Sequence, residues 1–187
     1  MSGRKQIEKS LNDILGLYQQ SFTQKVYLEE NDESDLLMEA FALTPQLKRE
    51  NRQYWGRELG MCWQRLVTEL CSQTCSDFDP GLRLGSDELC DLIIGKDAID
   101  TKYRIGSGDS GTLKKFQSYA RLLTEKDYKP VLLIVREDNL PAAIKACSSA
   151  GWTVLKGEET FDYIYDLTAF NLKKYLLAKA KAYAVNR

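Results

Sequence analysis

Apolar residues recur at helical spacing from Arg4 to Phe22, at Ile7, Leu11, Ile14, Leu15, Tyr18 and Phe22, and predict an amphipathic helix with one core stripe. The acidic stretch Glu29 to Asp35 interrupts the pattern as a solvated loop, after which Ser34 can cap a short helix carrying Leu36, Leu37 and Phe41. Thr44-Pro45 is a cap followed by proline at the first helical position. It opens a long helix carried to about Gln73, with Leu59, Cys62, Trp63, Leu66, Val67 and Leu70 as its buried stripe. Glu58 lies one turn from both Trp55 and Cys62, so a carboxylate is set on or beside an apolar face. Salt bridging and the orientation of a metal or a water are both open to it.

The period then changes. After the turn-rich SDFDPG come a weak strand, Leu82 to Leu84, and two strong ones, Glu88 to Ile94 and Asp97 to Ile105, joined by the two-residue hairpin signal Gly95-Lys96. The loop GSGDSG leads to a helix from Thr112 to about Thr124, an apolar strand Val131 to Val135 and a helix from Leu140 ended by Gly151. Trp152 to Lys156 predicts another strand, and Leu167 to about Tyr183 a closing helix with Leu172, Leu176, Ala180 and Tyr183 inward. Strand, helix and apolar strand in succession imply a parallel crossover. The fold class is therefore α/β, with a mixed central sheet of antiparallel meander plus parallel β-α-β crossover, flanked by helices.

Composition narrows the function. The 187 residues fit one domain, and Lys+Arg at 26 against Asp+Glu at 27 gives a net charge of −1. This excludes a strongly basic nucleic-acid coat and an acidic tail, so any electropositive surface is local. The longest wholly apolar run, Val131 to Val135, is too short to span a bilayer, and the opening MSGRKQIEKS has no apolar leader. The expectation is a cytoplasmic protein with no membrane partner. Histidine is absent, with a count of 0, which removes Ser-His-Asp and Cys-His catalysis and His-ligated zinc. The 5 cysteines contain no C-x-x-C pair and read as reduced thiols; a four-Cys zinc site lacks its knuckle spacing.

The chemistry gathers on the hairpin. With Gly95-Lys96 as the loop, Ile94 pairs with Asp97, and extending that register sets Asp91 opposite Asp100. Directly opposed residues share a face with Cβ atoms about 4.5 to 5.5 Å apart, and Lys102 emerges on the same face. Two such carboxylates repel by about 3 kcal/mol at an effective dielectric of 20, so something positive belongs between them. Lys102 supplies part of it. A hard divalent cation, Mg²⁺ with Mn²⁺ as a substitute, supplies more. The plain alternative is an edge hairpin whose Asp and Lys are only solvated; the apolar neighbours Leu92, Ile93, Ile94, Ala98 and Ile99 weigh against it.

At these residues the chain resembles the PD-(D/E)XK nuclease superfamily, with Asp91 followed by Asp100-Thr101-Lys102 on a hairpin before a β-α-β unit. Within it, the runs IDTKYRIGSGDSGTLKKFQSYARLL and GEETFDYIYDLT are similar to compact type II restriction endonucleases of the ApaLI-like group. The proline of the motif is replaced by Cys90. The resemblance implies a restriction-endonuclease-like core at residues 44–136, an N-terminal helical extension at 1–43 and a C-terminal strand and helices at 137–187. It further implies Mg²⁺-dependent hydrolysis of DNA phosphodiesters by a homodimer at a short palindrome. Asp91, Asp100 and the Thr101 carbonyl would hold metal, Lys102 would orient or deprotonate water, and Glu58 would complete the shell. A companion DNA methyltransferase would belong to the same system without forming a stable complex.

Gly106, Gly108 and Gly111 also satisfy G-x-G-x-x-G, with Glu125 or Glu137 as the ribose acid, so a dinucleotide-binding oxidoreductase has to be weighed. The charged strand Asp-Thr-Lys-Tyr-Arg entering the loop argues against it. In a nuclease the same loop and helix would clamp the DNA backbone through Arg104, Ser107, Ser110, Lys114 and Lys115, with Gln117 and Ser118 near the bases. Lys173, Lys174, Lys179 and Lys181 form an outer helix face that is phosphate-contacting or merely solvated. A junction resolvase or repair nuclease, and a non-catalytic DNA-binding module, complete the alternatives.

Overall fold

The computed structural model describes residues 2–24, 52–105, 110–179 and 182–183. The predicted Ser34-capped helix and the Thr44-Pro45 helix start lie outside them. Helix α1 spans Ser2–Gln24 and α2 Arg52–Thr74. The strands that follow are β1 (Phe78–Pro80), β2 (Arg83–Leu84), β3 (Asp87–Glu88), β4 (Leu92–Ile94) and β5 (Asp97–Lys102). Then come α3 (Ser110–Glu125), β6 (Lys129–Ile134), α4 (Pro141–Ser149), β7 (Thr153–Lys156), α5 (Glu158–Thr168) and α6 (Leu172–Ala178).

The order β1-β4-β5-β6-β7 makes a five-stranded mixed sheet. β1, β4 and β5 pair antiparallel, whereas β5–β6 and β6–β7 pair parallel, as the crossover pattern requires. Strands β2 and β3 form a separate two-stranded ribbon. Leu92, Ile94, Ile99, Val131 and Leu133 pack one face against Leu11 of α1, Val67 and Leu70 of α2, Ile164 of α5 and Leu172 of α6. Ile93, Ala98, Leu132 and Ile134 pack the other against Phe116, Ala120 and Leu123 of α3 and Ala143 and Cys147 of α4. β6, with Val131 to Ile134 all buried, reads as a near-continuous apolar run because both its faces are covered.

Three expectations need correction. The predicted strand Glu88 to Ile94 is divided: only Leu92–Ile94 joins the main sheet, and Glu88 belongs to the β2–β3 ribbon. Leu89 and Cys90 are buried outside any strand, which prolongs the apolar pattern past the true strand end. The turn-rich SDFDPG instead supplies β1, an edge strand where Pro80 is tolerated because one side of the strand needs no donor. The single closing helix is broken at Ala169, which adopts a left-handed φ of 51°, and α6 restarts where Asn171 Oδ1 accepts a hydrogen bond from the Lys174 amide at 2.7 Å. Among the described residues no helix is long and apolar enough to cross a membrane.

Candidate functional site

The hairpin turn is formed as predicted, with Ile94 opposite Asp97, Ile93 opposite Ala98 and Leu92 opposite Ile99. The next step departs from the expected register. The Asp91 amide donates to the Ile99 carbonyl at 2.8 Å, so Asp91 and Leu92 both face Ile99 and the predicted head-on pairing of Asp91 with Asp100 does not form. This is the geometry of a β-bulge, which re-aims a side chain. Gly81 is pressed against this segment: a Cβ there would sit 2.1 Å from the Cys90 carbonyl oxygen and 2.7 Å from that of Asp91.

The re-aimed Asp91 carboxylate closes on Thr101. Its Oδ2 accepts from the Thr101 amide at 2.7 Å and from Thr101 Oγ1 at 2.6 Å, while its Oδ1 accepts from Gln64 Nε2 of α2 at 2.8 Å. Strand alternation turns Thr101 to one side of β5 and Asp100 and Lys102 to the other. Lys102 Nζ lies 2.7 Å from Asp100 Oδ2 and donates to the Thr101 carbonyl at 3.0 Å. One residue, Thr101, therefore gathers the group: its N–H and hydroxyl hold Asp91, and its carbonyl holds the ammonium that pairs with Asp100.

The electrostatics follow from burial and like charge. Burial first, and the Asp100 charge second, push the Asp91 carboxyl up to about 6, against the opposing pull of Lys102 and the Thr101 hydrogen bonds. Burial disfavours the Lys102 charge, but Asp100 and Asp91 outweigh it, and its pKa stands above the ordinary lysine value. Lys102 is thus a charged donor. Burial also raises the Cys90 thiol to about 11, and its Sγ accepts from the Leu82 amide at 3.4 Å, which makes it a packing residue beside the site.

The other candidates are distributed around this centre. Glu58 ion-pairs with Arg57 at 3.2 Å, and its charge acts on Tyr18 of α1; the residue of α2 that reaches Asp91 is Gln64. Arg104 donates through Nε to the Asp138 carbonyl at 2.8 Å and shares the Asp138 carboxylate with Arg136. Arg136, which sequence reasoning did not single out, lies over the Tyr103 ring, 5.8 Å from its centroid. Lys114, Lys115 and Gln117 are exposed on α3, and Lys115 Nζ stands 3.9 Å from Asp87. Ser110 opens α3, while Ser107, Gly106 and Gly108 lie outside the described residues. The carboxylates considered for a ribose are engaged elsewhere, Glu125 with Arg121 and Glu137 with Lys156. Lys173 pairs with Glu158.

Among the described residues no cluster of three or more His, Cys, Asp or Glu side chains is placed to hold a metal ion. The donor set at the hairpin is two carboxylates and a carbonyl. All are hard oxygens, and two crowded carboxylates with one ammonium leave a surplus negative charge, which suits a Mg²⁺-like ion that keeps several waters. No family model, curated protein or solved structure matches the chain.

Proposed function

We propose that the chain is a Mg²⁺-dependent endonuclease with a restriction-endonuclease-like core, cutting both strands of duplex DNA at a short palindrome as a homodimer. The observation that carries this reading is the linked set at the carboxyl end of β5, in which Thr101 holds Asp91 through its N–H and hydroxyl and Lys102 through its carbonyl, and Lys102 pairs with Asp100. Asp100 and the Thr101 carbonyl, with Asp91, are the residues that would hold the ion, and a bound Mg²⁺ would supply charge neutralisation and activation of water. Lys102, protonated, orients water and stabilises charge developing on a phosphate; its raised pKa suits it to donate rather than to accept a proton. Gln64 and Thr101 fix the Asp91 rotamer, and the exposed Lys114 and Lys115 offer phosphate contacts on α3.

Two-fold targets match two-fold protein symmetry, and a near-neutral chain with local positive charge binds DNA with steep salt dependence. Such an enzyme works in the cytoplasm beside a companion methyltransferase that protects the host sequence. The test is digestion of a sequenced plasmid with Mg²⁺ and with EDTA, followed by mapping of the fragment ends. Discrete ends sharing one sequence support the reading. Cutting of branched DNA alone would move the chain to the resolvases, and binding without cutting would make it a DNA-binding module.

A further inference from the structure

The ammonium of Lys102 rests on the oxygens that the proposed cation would use. It lies 2.7 Å from Asp100 Oδ2 and 3.0 Å from the Thr101 carbonyl oxygen. Asp91, the remaining donor, already accepts three hydrogen bonds from Gln64 and Thr101. A dication and the ammonium gathered on the same carboxylate and carbonyl repel each other, so each weakens the other's hold on the Asp100 and Thr101 oxygens. The lysine has somewhere to go: its side chain is 37% exposed, against 14% for Asp100, so the stem can swing outward while the carboxylate stays.

Resting on the nuclease reading, we infer that Lys102 and a divalent cation compete for the Asp100 and Thr101 oxygens, so that the cation and an anionic phosphodiester load the site together. An incoming phosphate gives the displaced ammonium a new partner, and the vacated oxygens take the ion. Binding of either therefore tightens binding of the other, as linkage demands. Lys102 acts as an internal counter-ion that keeps the centre from filling before DNA arrives.

The experiment titrates Mn²⁺ calorimetrically into the full chain and into Lys102→Met and Lys102→Arg. The expected result is at least tenfold tighter Mn²⁺ binding by Lys102→Met, with Lys102→Arg close to wild type, and loss of binding when Asp100→Asn is added to either. A cleavage-resistant phosphorothioate duplex should tighten Mn²⁺ binding by wild type and leave Lys102→Met unchanged. Equal or weaker Mn²⁺ binding by Lys102→Met, or equal tightening of both proteins by the duplex, overturns the competition and leaves the metal site standing. No saturable Mn²⁺ binding by wild type or Lys102→Met removes the competition and the metal-dependent reading together. Should Lys102→Met not fold, wild-type crystals soaked in Mn²⁺ decide: the ion on Asp100 with Nζ more than 4 Å away supports the inference, and an ion bound beside an unmoved Nζ overturns it.

Discussion

The two ends of β5 carry aspartates that the fold treats differently. At the entry end, Asp97 Oδ2 accepts a hydrogen bond from Tyr163 Oη of α5 at 2.6 Å. Burial, then this bond, hold the Tyr163 phenol well above its ordinary value, so the partner is a neutral hydroxyl that keeps its proton. The charge is answered by one donor from a packed helix, and it anchors α5 to the sheet. At the exit end, Asp91 and Asp100 share one ammonium and crowd each other. At the entry end a lone carboxylate meets a single donor, whereas at the exit end two carboxylates crowd one ammonium and each other. A fold that wanted only stability would not bury a second carboxylate there.

The contrast breaks most sharply in activity. Asp100→Ala and Lys102→Ala should each lower DNA cleavage by on the order of 10³-fold with DNA binding retained, while Tyr163→Phe cleaves within about twofold of wild type. Comparable turnover in Lys102→Ala and wild type would erase the distinction between the two ends.

Stability gives the next effect, with the opposite sign. Asp91 has a folded pKa of about 6 against an ordinary 3.8, so its protonated form favours the fold. Its contribution is fully present below about pH 4 and is lost as pH rises through 6. Asp91→Asn removes the charge but keeps only one acceptor oxygen, so it cannot accept from both Gln64 and Thr101. In metal-free buffer it should therefore lack the decline between pH 4 and 6, its stability relative to wild type rising by about 2–3 kcal/mol from pH 4 to pH 8. Urea denaturation at several pH values reads this, and parallel pH profiles would show that the carboxylate is not crowded. At the entry end the sign reverses. Tyr163→Phe leaves Asp97 without its donor and should lower the unfolding free energy by about 1–2 kcal/mol in the same denaturation assay. The smallest change is Glu58→Ala, expected within about 0.5 kcal/mol of wild type and with cleavage intact, because its ion pair with Arg57 is at the surface. A large loss of cleavage in that variant would return Glu58 to the site.

The hairpin was legible because Gly95-Lys96 fixes a loop and alternation fixes the rest: three successive pairs follow from it. One step further the inference fails at Asp91, since a bulge adds a residue without changing the apolar pattern and the buried Leu89 and Cys90 make the run look unbroken. Gln64 was hidden for a related reason. It sits next to Trp63 in the helix stripe, and a lone amide there carries no signal until the fold brings Asp91 to it. Helix α5 escaped because its buried positions are Thr160, Ile164 and Thr168, and threonines at helical spacing do not read as an apolar stripe. Thr160 Oγ1 and Thr168 Oγ1 are satisfied by the carbonyls of Ile134 and Ile164, which the sequence cannot display.

The close approach of Gly81 to the Cys90–Asp91 backbone bears on heredity as well as mechanics. Position 81 touches backbone alone at this point, yet a single codon change to alanine there would shove the peptide that aims Asp91 and, on the proposed function, lower cleavage from a distance. Variation among descendants of this chain should be confined at that spot as tightly as at the acids themselves, for want of room rather than for want of chemistry.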